Sequence, residues 1–84
     1  MTHTVIWRPS AAARLAELWI SAADREAVSA AADEIDAKLR TDPASQGESR
    51  WDATRILINP PLAIYFDVAE HDRLAIVWAV WRSK

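Results

Sequence analysis

The chain carries few side chains able to run acid–base or nucleophilic chemistry. It has no cysteine, so disulfides and thiolate metal sites are excluded. Its two histidines, His3 and His71, stand alone, without the close spacing that zinc ligands need. His3 reads as a surface residue ahead of the first strand, and His71 as a turn residue. No metal and no cofactor is expected. What remains is arginine and aromatic character. Arg50 and Trp51 are adjacent, a pair that can touch RNA or cover the edge of a core. Tyr65 and Trp81 fall on one side of alternating apolar runs. An aromatic there can stack a base or pack across strands. Arg55 opens one such run and Arg82 closes another. Each can meet a phosphate, or lie solvated with its stem covering apolar surface. Lys84 reads as a frayed terminus.

Charge limits what these residues can do. The net charge over 84 residues is −2, whereas phosphate binding needs an excess of Lys and Arg on one surface. Residues 1–45 hold five basic and seven acidic side chains, and residues 46–84 hold five of each. The acidity therefore gathers in the first half. No run of about 18 apolar residues exists to span a bilayer. The opening Met1-Thr2-His3-Thr4-Val5 lacks a basic leader with an apolar core. The expected location is the cytoplasm, with no membrane partner.

The elements that must position these residues can be read from periodicity. Val5-Ile6-Trp7 predicts a strand over residues 4–8, stopped by Pro9. Ser10 is a candidate N-cap for an Ala- and Leu-rich helix over residues 11–20, with apolar positions at Ala11, Leu15, Leu18 and Ala22. Ser21 or Asp24 can cap a second helix over residues 25–40. Its apolar stripe is Val28, Ala31, Ala32, Ile35 and Leu39, and Glu34 and Lys38 form an i,i+4 pair. Pro43 ends that helix. Residues 44–49, with the single glycine Gly47, read as a loop. Strands follow at residues 55–58, 62–68 and 74–81, the last two joined by a polar hairpin turn at residues 69–73.

The expected fold is therefore α+β in the order β-α-α-β-β-β, a helical hairpin packed on a small, mainly antiparallel sheet. One domain fills residues 1–84. Leu62, Ile64, Phe66 and Val68 on one strand, and Leu74, Ile76, Trp78 and Val80 on the next, should face the helices. Tyr65, Val77 and Trp81 should lie on the opposite, partly open face. Most of the five Trp are read as core or sheet-face residues.

Several segments sit in a recognisable order. Val5-Ile6-Trp7-Arg8-Pro9 precedes an Ala-rich helix with Leu15 and Trp19. Ile35-Asp36-Ala37-Lys38-Leu39 runs into Asp42-Pro43. Gly47-Glu48 follows, then Arg55, then Pro61-Leu62-Ala63-Ile64-Tyr65-Phe66-Asp67-Val68 and a terminal apolar strand. As an ordered set over nearly the whole chain, these resemble the RelE/ParE toxin superfamily. The resemblance implies the toxin half of a bacterial type II toxin–antitoxin pair, with a cognate antitoxin that wraps it by a helix or strand. RelE-like members enter the ribosomal A site and cut mRNA, and ParE-like members poison DNA gyrase.

Metal-free RNA cleavage needs a base for the 2′-OH, an acid for the leaving oxygen and cations for the phosphorane. The resemblance assigns Arg55 and Arg82 to catalysis as phosphate or transition-state stabilisers. Arg50, Trp51, Tyr65 and Trp81 become candidate RNA- or target-binding residues. Ser49-Arg50-Trp51-Asp52 stands where active ribonucleases carry a lysine cluster. That departure and the net charge fit a gyrase-directed or attenuated member. Three readings result: a ribosome-dependent endoribonuclease, a non-catalytic gyrase inhibitor, and a non-toxic protein-binding module. Partners would be the antitoxin together with ribosome and mRNA, or gyrase, in a homodimer or toxin–antitoxin hetero-oligomer. Arg55→Ala should leave the fold nearly intact, and Trp78→Ala should cost roughly 3–5 kcal/mol as a core truncation.

Overall fold

The protein is described over residues 2–83 by a computed structural model. Lys84 lies outside the described residues. Strand β1 (Thr4–Trp7) leads into α1 (Pro9–Ser21) and α2 (Arg25–Thr41). A 3-10 turn (Pro43–Ser45) then precedes β2 (Glu48–Trp51), β3 (Thr54–Asn59), β4 (Leu62–Ala69) and β5 (Leu74–Arg82). The sheet order is β1-β5-β4-β3-β2. β1 runs parallel to β5, and every other pair is antiparallel.

The helices begin differently from the sequence reading. α1 starts at Pro9, two residues early, because a first-turn proline lacks only an N–H that would be unpaired anyway. Arg8 becomes its N-cap residue, without a side-chain capping bond, and Ser10 sits inside the helix. Asp24 precedes α2 but does not cap it; its carboxylate is taken by Arg82. Val28, Ala31, Ile35 and Leu39 form the buried stripe of α2. Glu34 and Lys38 do not pair directly. The side chain of Asn59, buried at the end of β3, stands between them. It donates from Nδ2 to Glu34 Oε1 at 2.8 Å and accepts from Lys38 Nζ at 2.6 Å.

β2 occupies sequence read as loop. Its four residues are all exposed, so no alternation of apolar side chains announces it. Its pairing depends on what precedes it. Gly47 turns at φ 64, a conformation glycine adopts without strain. Glu48 then lies opposite Ile56.

Sheet faces are set by a β-bulge. Phe66 pairs with Val77 and Tyr65 with Ala79. One step on β4 thus spans two on β5, and Trp78 is the extra residue. The phase of β5 flips there. Ala75 and Val77 point to the helices before the bulge, and Val80 after it; all three are buried. On β4 the expected inner face holds, with Leu62, Ile64 and Phe66 fully buried. On β5 the expectation fails for its first half. Leu74, Ile76 and Trp78 lie on the outer face, and Val77, read as exposed, is core. A single inserted residue moves every following side chain to the other face.

The core lies between hairpin and sheet, built from Ala11, Val28, Ile35, Leu39, Leu62, Ile64, Phe66 and Val77 among others. Trp7 packs against it from β1. Trp19 is exposed on the hairpin, and the other three Trp gather elsewhere.

Candidate functional site

The outer sheet face carries an aromatic cluster centred on Tyr65. Its ring lies 5.5 Å from Trp51, 4.9 Å from Trp81 and 5.1 Å from Trp78, the last at an interplanar angle of 19°. Offset stacked and tilted rings at these distances attract one another. The structure thus brings together three sequence candidates, Tyr65, Trp51 and Trp81, and adds Trp78. Each ring comes from a different register of β2, β4 or β5, so only the strand pairing assembles them. Ile6 and Ile58, 40% and 56% exposed, extend the same apolar surface towards β1 and β3. Arg50 sits at its β2 edge, lining a shallow cavity with Glu48, Ile56 and Ile58.

Asp67 is the carboxylate of this face. Its Oδ1 accepts from Thr54 Oγ1 at 2.5 Å and from Trp78 Nε1 at 3.0 Å. Two donors on one oxygen fix the carboxylate plane. They tie the bulged indole to β4 and to β3. The sequence signal for Asp67 was its position: a charge in mid-strand between Phe66 and Val68.

The two arginines assigned to catalysis are not part of this cluster. Arg55 pairs with Phe66 and shares the helix-facing side of the sheet. Its guanidinium reaches back to the loop before β2. Nε donates to the Gln46 carbonyl at 2.7 Å and a terminal nitrogen donates to the Gly47 carbonyl at 3.2 Å. Arg82 lies opposite Leu62 and binds Asp24 Oδ2 at 2.7 Å. The hydrogen bond from Arg82 holds the Asp24 carboxyl below its ordinary value of 3.8. The same bond raises the Arg82 guanidinium. The structure therefore gives both guanidinium groups partners within the fold and does not bring them to Tyr65.

The histidines are also placed. His71 is exposed in the β4–β5 turn. His3 departs from the surface reading: its side chain is 9% exposed, with Nε2 2.8 Å from Glu70 Oε1. The backbone N–H of His3 donates to the Arg40 carbonyl, which draws the ring in between the end of α2 and the β4–β5 turn. Neither histidine is near the aromatic cluster's Asp67. Among the described residues, no group of three or more His, Asp or Glu could hold a metal ion.

A second apolar feature lies across the molecule, on the hairpin. A groove of about 430 Å³ runs between α1 and α2, lined by Ala12, Leu15, Ala16, Trp19, Val28 and Ala32 among others. Trp19 forms its wall, held by a bond from Nε1 to Ser29 Oγ at 3.0 Å and by the Arg25 guanidinium 4.8 Å over its ring. Ile20 beside it is 63% exposed. No described helix is long and apolar enough to cross a membrane.

No family model matches the sequence, and no curated protein matches it. Solved structures do. The toxin–antitoxin complex RelBE2 from Mycobacterium tuberculosis contains a chain that superposes with a TM-score of 0.80 at 13% identity, covering 98% of this chain and 92% of that one. The chromosomal ParDE toxin–antitoxin system of P. aeruginosa gives 0.75 at 17% identity, covering 99% and 98%. The fold is thus RelE/ParE-like: two helices on a five-stranded, mostly antiparallel sheet.

Proposed function

We propose that the chain is the toxin half of a bacterial type II toxin–antitoxin module and that it acts by binding its target rather than by cleaving RNA. The whole-chain likeness to components of two toxin–antitoxin complexes supports the first part. The observation that carries the second is the engagement of both candidate catalytic arginines, Arg55 on loop carbonyls and Arg82 on Asp24. Neither is poised for a phosphorane, and the aromatic face has no histidine beside it. Its exposed Trp51, Ile6 and Ile58 suit a protein target of the gyrase type, which makes no demand for a basic cleft. The hairpin groove, lined by apolar side chains, suits the apolar stripe of an antitoxin helix.

Ribosome-dependent mRNA cleavage is the second reading. One feature favours it: a plate of four rings on which bases can stack. Induction in bacteria, with and without co-expression of any short antitoxin-like reading frame found beside the gene, tests the module. Growth arrest relieved by that frame is expected; healthy growth without it would overturn the toxin assignment. Purified protein then separates the readings. Inhibited supercoiling with intact message is expected, whereas new 5′ ends on translated mRNA would establish cleavage. Ala16→Arg, on the exposed floor of the groove, should weaken antitoxin binding at least about tenfold while leaving growth arrest in place.

A further inference from the structure

The sheet ends on two edges, β1 and β2. At the β1 edge the backbone N–H of His3 donates to the Arg40 carbonyl, so the end of α2 closes the start of that strand. β2 is the other edge, and Glu48, Ser49, Arg50 and Trp51 are all exposed. An uncovered edge strand presents unpaired N–H and C=O groups to a further strand. We propose that this edge is a self-association surface: β2 pairs antiparallel with β2 of a second copy, about a two-fold axis at Ser49, with Glu48 of each copy opposite Arg50 of the other.

Backbone phase puts Ser49 at the axis. The Ile56 carbonyl oxygen lies so close to Gly47 that a Cβ added there would be 1.9 Å from it. Ile56 therefore turns its carbonyl towards β2, and Glu48, its partner in the ladder, directs its own backbone groups to β3. These groups alternate sides along a strand, so Ser49 turns its N–H and C=O outwards. Two copies of Ser49 facing each other across a two-fold axis exchange both hydrogen bonds, the closely bonded pair of an antiparallel ladder.

Charge then selects the register. Glu48 and Arg50 flank Ser49 with opposite signs, and among the described residues neither is in an ion pair. With the axis at Ser49, two opposite-charge pairs form across the strands, which stabilises the pairing. Moving the axis to Glu48 or to Arg50 sets that residue against its own copy. Parallel pairing in register sets both against their copies. Charges and bulges commonly guard an edge against other strands. Here the charges complement themselves, which favours a second copy over a foreign strand. The bulge lies beyond Ser49 and leaves it in register with Arg55.

Such a dimer runs five strands from each copy into one sheet. The axis stands perpendicular to the sheet. Both Tyr65 clusters therefore lie on one side, and both hairpin grooves stay open on the other. The contact spans only four residues per copy, a weak interface that assembles with concentration. It does not rest on the mode of action proposed above.

Sedimentation and light scattering of the full chain up to about 1 mM, the range of weak association, test it. A monomer–dimer equilibrium is expected. Glu48→Arg and Arg50→Glu should each weaken it at least about tenfold, since each sets like charges opposite one another. The two variants mixed should form a heterodimer, and the double variant Glu48→Arg/Arg50→Glu should recover wild-type association. Both side chains are exposed on the edge, so circular dichroism should show each variant folded. In NMR spectra the Ser49 amide should gain protection from exchange with concentration, while the Trp19 indole signal stays in place. A chain still monomeric at about 1 mM overturns the proposal. So does a dimer that both charge reversals leave unchanged, or one that Ala16→Arg in the hairpin groove disperses. Failure of the two variants to associate with each other is equally fatal. Protection of Ser49 only in the presence of a different protein would assign the edge to that partner and overturn the proposal too.

Discussion

At the scale of single residues, the main finding is that a guanidinium goes to the acceptors the fold offers. Arg55 faces the helix side, and its guanidinium donates to the carbonyls of Gln46 and Gly47. Removing it should therefore cost stability, contrary to the expectation of a nearly intact fold. Hydrogen bonds from a charged donor contribute about 1.5–3 kcal/mol, so Arg55→Ala should lower the urea midpoint by an equivalent amount. A variant as stable as wild type would show that the loop holds without it. The Asp24–Arg82 pair gives a pH signature. A carboxyl depressed in the folded state adds stability above its ordinary value of 3.8. That contribution is lost as the pH falls below this value. The melting-temperature gap between wild type and Asp24→Asn should thus be present near neutral pH, close below 3.8 and shrink with added salt.

At the scale of elements, the bulge in β5 and the turn before β2 matter most. The bulge moves Trp78 from the core to the outer face, where it loses one stacking partner and one hydrogen bond on truncation. Trp78→Ala should accordingly cost about 2–3 kcal/mol in denaturant unfolding. Phe66→Ala, in the core beside it, should cost about 3–5 kcal/mol. Equal losses would place the indole back in the core. Gly47 combines φ 64 with a site where an added Cβ would run into the Ile56 carbonyl oxygen. Gly47→Ala must strain the backbone and push β2 from β3. A loss of at least about 1–3 kcal/mol is expected, with faster amide exchange across Glu48–Trp51 than in wild type.

At the scale of the whole molecule, the two apolar surfaces lie on opposite layers. The hairpin groove with Trp19 is on one, and the Tyr65 cluster on the other. A small domain cannot bury all its large side chains, but contiguous exposed patches of this kind mark interaction sites. Under the proposed function, two separate patches would let an antitoxin bind the hairpin and a target the sheet without overlap. Whether they act independently can be read by adding target to a preformed antitoxin complex: a ternary complex is expected unless antitoxin segments also cross the sheet face.

The sequence by itself determined the α+β class, the hairpin, β1 and the inner face of β4, because burial imposes its period on apolar residues over stretches long enough to read. It also marked Trp51, Tyr65 and Trp81. It could not show β2, whose residues are all exposed and whose pairing rests on Gly47 and on Arg55 reaching back across the loop. Nor could it show the face of Trp78, since Leu74–Arg82 alternates equally well in either phase and only the pairing Phe66 with Val77, then Tyr65 with Ala79, decides between them. The fate of the arginines was likewise undecided until tertiary structure brought distant carbonyls and Asp24 within reach.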